Sequence, residues 1–233
     1  MNIPAQCLAC ESFASNIFCD LPPDLISRIN DQKITRDYKR KQILFFEGNP
    51  TQGIYCIKSG RVKLYKTGPE GKQYILQISG PKEVLGLESV FSNRHFSCTA
   101  EVIEDGTICF IDKDLIFQIL QKNPSTAIKI THMLAKELKE SEAERLELAQ
   151  LAVRERLARL LTILSQSHGK KVPQGVQIDL RLSREEMAEM IGTAAETAMR
   201  LLKEFKEEKL VQVNGKEITI LDREGLAKTG QIL

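Results

Sequence analysis

Leu182-Ser-Arg-Glu-Glu-Met-Ala-Glu-Met-Ile-Gly192-Thr-Ala-Ala-Glu-Thr-Ala-Met-Arg200-Leu-Leu-Lys-Glu-Phe205 reads as two short helices around a glycine turn. Ser183 opens an S-x-x-E with Glu186, and Thr193 opens a T-x-x-E with Glu196. In such a capping box, hydroxyl and carboxylate satisfy the backbone N–H groups left without partners at a helix start. Gly192 stands where the first helix must stop. Just downstream, Lys209–Leu221 alternates apolar and polar residues around Asn214-Gly215, the sign of a two-residue hairpin. Helix, turn, helix and hairpin make a winged helix-turn-helix, which places its second helix in the DNA major groove.

Ala198, Leu201, Leu202 and Phe205 recur at helical spacing and are expected to face inward. Glu196, Met199, Arg200 and Lys203 fall on the other face, near the helix start, where base edges are reached. Arg can bond guanine O6 and N7 bidentately, and a carboxylate can accept from cytosine N4. Glu196 has two plainer roles open to it: capping the helix, or pairing with Arg200 at i,i+4.

Composition sets wide bounds. The chain has 233 residues, 42% of them apolar, enough for one large or two ordinary domains. It contains no apolar run of transmembrane length and no signal-peptide pattern at its N-terminus, so a cytoplasmic protein without a membrane span is expected. Net charge is +2, and residues 150–233 carry 14 Lys and Arg against 12 Asp and Glu. So small an excess implies that DNA affinity depends on dimerisation and local placement of cations. The residues show no Ser/His/Asp arrangement, paired catalytic carboxylates or phosphate-cradling glycine loop, so no enzyme is expected.

Between Ile43 and Ile111 short β-type runs (43–46, 54–57, 61–66, 74–78, 99–103 and 108–111) are punctuated by glycines, which predicts an antiparallel barrel or roll. From Ser125 to about Leu148 the text turns helical. Ala127, Ile130, Leu134, Leu138 and Ser141 form one narrow stripe, read as a dimer seam centred on Ile130, Leu134 and Leu138. A core helix of the roll is the plainer alternative. Residues 149–153 are the expected hinge, 154–167 the first helix of the DNA domain, 168–175 a polar loop and 176–180 a strand. The fold class is therefore α+β, divided into an N-terminal Cys-containing segment (1–20), a sensory β-roll (21–122), a dimerisation helix (123–149) and a winged helix-turn-helix domain (150–233).

Phe46-Glu-Gly48, the run Ile54-Tyr-Cys-Ile-Lys-Ser-Gly-Arg-Val-Lys-Leu-Tyr65 and the helix Thr193–Arg200 resemble the Crp/Fnr superfamily of bacterial transcription regulators over roughly residues 20–225. The resemblance implies a cyclic-nucleotide-binding-like roll, a homodimer on inverted-repeat double-stranded DNA, and RNA polymerase as a partner. It makes Glu196-x-x-x-Arg200 the base-reading pair for a G·A-containing half-site. Thr193, Thr197, Met199 and Lys203 complete the expected DNA contacts.

Cyclic-nucleotide binders of the superfamily carry Gly-Glu and, about ten residues on, Arg-Ser. This chain reads Gly86-Leu-Glu88 and Phe96-Ser97, with Arg94 two positions early, which argues against a cyclic nucleotide ligand. The same stretch is similar to the oxygen-sensing Fnr branch, which binds an iron–sulfur cluster through an N-terminal Cys cluster and a Cys in the roll. The resemblance assigns Cys7, Cys10, Cys19 and Cys109 as ligands of a [4Fe–4S] cluster. The x₈ spacing before Cys19 departs from the branch, where about five residues intervene. Four thiolates also suit tetrahedral zinc, and Cys19 also reads as a buried residue at the start of the roll. Cys56 and Cys98 lie in strand text and read as core. The expected signal is thus of redox, oxygen or nitric-oxide type. The alternative is a small molecule in the roll, with structural or zinc-binding cysteines.

Overall fold

The structure is a computed structural model that describes Cys7, Cys10 and residues 17–92 and 95–232. Arg94 and most of the N-terminal segment 1–20 lie outside the described residues. The elements run α1 (Pro23–Gln32), β1 (Ile34–Tyr38), β2 (Ile43–Phe45), β3 (Gly53–Ile57), β4 (Arg61–Thr67), β5 (Gln73–Ser79), β6 (Val84–Leu85), α2 (Leu87–Phe91), β7 (Thr99–Glu104), β8 (Gly106–Asp112), α3 (Lys113–Lys122) and α4 (Pro124–Gln150). They continue with α5 (Val153–Ser167), β9 (Gly169–Val172), β10 (Gly175–Ile178), α6 (Arg184–Met190), α7 (Ala195–Glu207), β11 (Val211–Asn214), β12 (Glu217–Ile220) and α8 (Arg223–Thr229). This is the expected α+β order of roll, long helix and winged helix-turn-helix.

The roll holds two antiparallel four-stranded sheets, ordered β1-β8-β3-β6 and β2-β7-β4-β5. Phe45, Ile57, Val62, Ala100, Val102 and Ile108 bury their side chains in its centre. A second cluster joins Leu25, Ile26 and Ile29 of α1 to Leu115, Ile116 and Ile119 of α3. Both helices went unforeseen. Pro22-Pro23 starts α1 at a position where proline costs nothing, and the Asp112 carboxylate caps α3 by accepting from the Asp114 N–H at 2.8 Å. Gly60 (φ +82°) turns the chain between β3 and β4, where a Cβ would lie 2.6 Å from the Glu104 carbonyl oxygen.

Ile130 belongs to that second cluster and is 3% exposed, so it is core of its own roll and no central seam residue. Leu134 packs against the same cluster, whereas Leu138 stands 57% exposed. The chain divides into two compact units, Met1–Lys66 with Leu76–Lys139 and Thr67–Ile75 with Glu140–Leu233. The division falls inside α4 and not at the expected hinge.

In the second unit the sheet order is β11-β12-β10-β9. The segment read as a polar loop contains a strand, because β9 pairs antiparallel with β10. In the wing Asn214 pairs directly with Glu217, so the two-residue loop is Gly215-Lys216, one position later than expected. Gly215 has φ +61°, as a II′-type loop requires at its first residue.

Candidate nucleic-acid interface and thiol cavity

The first capping box forms as read: the Glu186 N–H donates to Ser183 Oγ at 3.1 Å, and the Ser183 N–H to Glu186 Oε2 at 2.6 Å. After α6 the chain turns through Gly192 (φ +62°), and the Thr193 N–H donates to the Ala188 carbonyl at 3.0 Å. The second capping box does not form. Ala194 holds the N-cap position of α7, without a side-chain cap, because Thr193 is still occupied in closing the turn. Glu196 therefore sits exposed in the first turn of α7, where the helix dipole favours a negative charge.

The inward face is as expected, with Ala198, Leu201, Leu202 and Phe205 all buried. On the outer face Arg200 is 64% exposed. It pairs with Glu204 at 2.6 Å and not with Glu196. Lys203 is exposed beside Glu207, at 3.8 Å, while Thr193 and Thr197 are half-buried. Met199 is half-buried too and lines a cavity of about 340 Å³ together with Met187, Leu202, Val213 and Ile218. Arg184 and Lys216, both exposed, border the same cavity. They present cations beside the reading helix, in the manner of phosphate contacts. The sequence reading passed them over, although each lies next to a recognised landmark: Arg184 follows the cap Ser183, and Lys216 follows the wing Gly215.

Three arginines of α5 fix this arrangement. Arg154 reaches both oxygens of Glu208 (2.8 and 2.7 Å) and Glu204 (3.4 Å), and stacks over the Phe205 ring at 4.7 Å. Arg159 pairs with Glu147 at 2.6 Å. Arg156 donates to the carbonyls of Leu148 (3.4 Å), Leu151 (3.0 Å) and Ile191 (2.9 Å). These satisfy carbonyls at the ends of α4 and α6 and tie the expected hinge at 149–153 to the DNA-reading domain.

The roll contains a second site. Cys7, Cys10 and Cys109 line one cavity of about 30 Å³, along with Cys56 and Lys33. The Cys7 N–H donates to Asn30 Oδ1 at 3.2 Å, and the Cys10 N–H to the Cys7 carbonyl at 3.0 Å. Lys33 Nζ lies 2.9 Å from Cys7 Sγ, and Thr35 Oγ1 lies 3.4 Å from Cys109 Sγ. Burial pushes the Cys7 thiol up, and the hydrogen bond from Lys33 opposes it. Burial pushes Cys56 up strongly.

Cys19 is not brought to this cavity. Its Sγ donates to Asp20 Oδ1 at 3.4 Å, and Lys129 of α4 lies 4.0 Å away. The four-ligand set that includes Cys19 thus does not fit the structure. The reading of Cys56 as plain core is corrected as well, because its strand puts it at the cavity wall.

Elsewhere in the roll, Phe96 stands where cyclic-nucleotide binders carry Arg. Its ring stacks on Phe45 with centroids 3.9 Å apart and is buried. Glu88 accepts from Ser89 Oγ and Ser97 Oγ, both at 2.7 Å, which fixes its carboxylate beside Ser97. Cys98 is buried next to Ser97, and burial pushes its thiol up to about 11.

A β-roll followed by a winged helix-turn-helix, whose second helix exposes Glu196, Arg200 and Lys203 on its outer face, defines a DNA-binding regulator. Residues 35–123 match the cyclic nucleotide-binding domain family, and residues 155–229 the Crp-like helix-turn-helix domain family. The CRP-like cAMP-activated global transcriptional regulator of Mycobacterium tuberculosis is 27% identical over 214 residues, 92% of this chain and 96% of its own. The anaerobic regulatory protein of Haemophilus influenzae is 28% identical over 203 residues, covering 87% of this chain and 78% of its own. Among solved structures, the c-di-GMP responsive global regulator CLP of Xanthomonas campestris matches with a TM-score of 0.76 at 25% identity, covering 86% of this chain and all of that one. The chain belongs to the Crp/Fnr family and is a DNA-binding transcription regulator. No helix among the described residues is long and apolar enough to cross a membrane.

Proposed function

We propose that the chain is a homodimeric, sequence-specific regulator whose DNA affinity follows a redox signal of oxygen or nitric-oxide type, read by thiolate-bound metal at the roll. The observation that carries this reading is the meeting of Cys7, Cys10 and Cys109 in one cavity, thiols from two distant parts of the chain. The relatives divide between a cAMP-activated and an anaerobic regulator. Phe96 and Glu88 favour the second, since a cyclic phosphate would find an aromatic stack and a carboxylate in place of a guanidinium. Iron–sulfur and zinc are the two centres that thiolates in this number suit.

Glu196 and Arg200 are the base-reading residues of this proposal, with Thr193, Thr197 and Lys203 beside them and Arg184 and Lys216 on phosphates. The exposed Leu138 faces the second copy, and RNA polymerase is the partner at the promoter. The test is anaerobic purification followed by visible absorption, iron, sulfide and zinc assays, and DNA-binding titrations before and after air. Metal bound to the protein together with air-sensitive DNA binding is the expected result. Metal-free protein with identical binding in both states would turn the reading toward a small-molecule effector.

A further inference from the structure

We propose that Cys56, and not Cys19, is the fourth thiolate of a soft-metal centre formed with Cys7, Cys10 and Cys109. The inference rests on the reading above that the N-terminal thiols hold a metal at the roll, and it assigns the site's composition.

Cys56 lies directly opposite Cys109 in the β3–β8 ladder, between the pairs Tyr55–Phe110 and Ile57–Ile108. Directly opposed residues of antiparallel strands point to the same face, with Cβ atoms ~4.5–5.5 Å apart. Two sulfurs bound to one tetrahedral metal, each at ~2.3 Å, stand about 3.8 Å from one another. Side chains leaning together from opposed strand positions reach that separation, so the strand pair is half of a thiolate site held by a rigid sheet. The other half comes from Cys7 and Cys10, a C-x-x-C pair joined by the hydrogen bond that the Cys10 N–H donates to the Cys7 carbonyl. All four line the same cavity.

Cys7 and Cys109 each have a polar neighbour, whereas the buried Cys56 depends on the metal itself to displace its proton. The Lys33 ammonium contacts Cys7 Sγ, and the Thr35 hydroxyl contacts Cys109 Sγ, the kind of outer hydrogen bonds that orient metal-bound sulfur. The volume of about 30 Å³ leaves room for a small ion or a water molecule. Among the described residues no three such side chains yet converge to coordinating distance, so loading draws the Cys7–Cys10 pair toward the two strand thiols. Cys19 faces a different neighbourhood, that of Asp20 and Lys129.

The test uses the reduced full-length chain under anaerobic conditions with cobalt(II) alone as probe. Wild type should develop the sulfur-to-cobalt charge-transfer and intense visible bands of tetrahedral thiolate cobalt. Cys56→Ser should lower the charge-transfer intensity and weaken cobalt retention by at least about tenfold, a loss that even outer-shell changes can reach. Cys19→Ser should leave spectrum and retention unchanged. Cys56→His covers the case in which the serine variant fails to fold. Imidazole can replace a thiolate, so a shifted but still tetrahedral spectrum is expected there, and a packing role would not produce it. The inference is overturned when Cys19→Ser loses the bands while Cys56→Ser keeps them, or when wild type takes up no cobalt. Wild type that binds cobalt through these four thiols, yet binds DNA identically with and without air, defeats the regulatory reading and leaves the site standing.

Discussion

Replacing Arg200 by Ala separates reading from folding. The side chain is 64% exposed, and its contact is the i,i+4 pair with Glu204 at 2.6 Å. Exposed pairs of this kind contribute ~0.3–0.5 kcal/mol, and alanine is the better helix former, so unfolding free energy should move by less than about 0.5 kcal/mol. On DNA the proposed role makes the expected loss that of a bidentate guanine contact, ~1–3 kcal/mol per half-site. At ~1.4 kcal/mol per decade this is roughly 5- to 150-fold in affinity for each half-site. The assay is fluorescence anisotropy at fixed salt on palindromes that carry either G·C or A·T at the contacted pair, with urea denaturation in parallel. Wild type should prefer the G·C palindrome, and the variant should bind the two alike. A variant that loses affinity equally on both sequences while keeping the wild-type preference would falsify the base-reading role and leave Arg200 as a phosphate contact. A large fall in stability would show instead that the Glu204 pair is structural.

Ser183→Ala should cost about 1 kcal/mol in unfolding free energy, because it removes a formed capping box. Thr193→Ala should cost less than about 0.5 kcal/mol, its residue not being the cap of α7, and the reverse order in chemical denaturation would place the cap at Thr193. Leu138→Asp should weaken the proposed dimer in sedimentation without lowering the melting temperature of the roll, since its side chain packs little in its own chain. An unchanged dimer would move the seam elsewhere on α4. Cys98, with its thiol pushed up to about 11, is thiolate in only about one molecule in a thousand at pH 8. Its alkylation by iodoacetamide, followed by peptide mass spectrometry, should speed up about tenfold per pH unit up to that value. A rate already level at pH 8 would contradict this burial.

The strands of the roll were legible because glycines bound each apolar run, and the reading helix because its inward positions keep strict helical spacing. Where the text lacks such contrast it misled. Four of the five β1 residues are exposed, so that strand shows no alternation. Gly169-Lys-Lys-Val172 reads as polar, although it pairs along its whole length with β10. Thr193 has the right neighbours for a cap, but its N–H closes the turn to Ala188, and the helix starts two residues later. Ile130 shares a stripe with Leu138, and periodicity alone does not tell a core helix from a seam.

The thiol site shows the same limit at longer range. Spacing along the chain groups Cys7, Cys10 and Cys19, whereas proximity in the roll is set by strand register. Cys56 meets Cys109 because of where β3 and β8 fall in one ladder, which no local pattern records.

The hydrogen bonds of Arg156, joined by the Arg159–Glu147 pair, make the final turns of α4 a fixed handle on the DNA-reading domain. A swivel at residues 149–153 would have to break several charge-assisted bonds, each contributing ~1.5–3 kcal/mol. Within the unit Glu140–Leu233 the last turns of α4 are thereby held to α5 and to the end of α6 as one piece. Cutting Arg156 back to Ala would free the segment after α4 from the end of α6 and leave only the Arg159–Glu147 pair holding the helix end, with the outer face of α7 untouched.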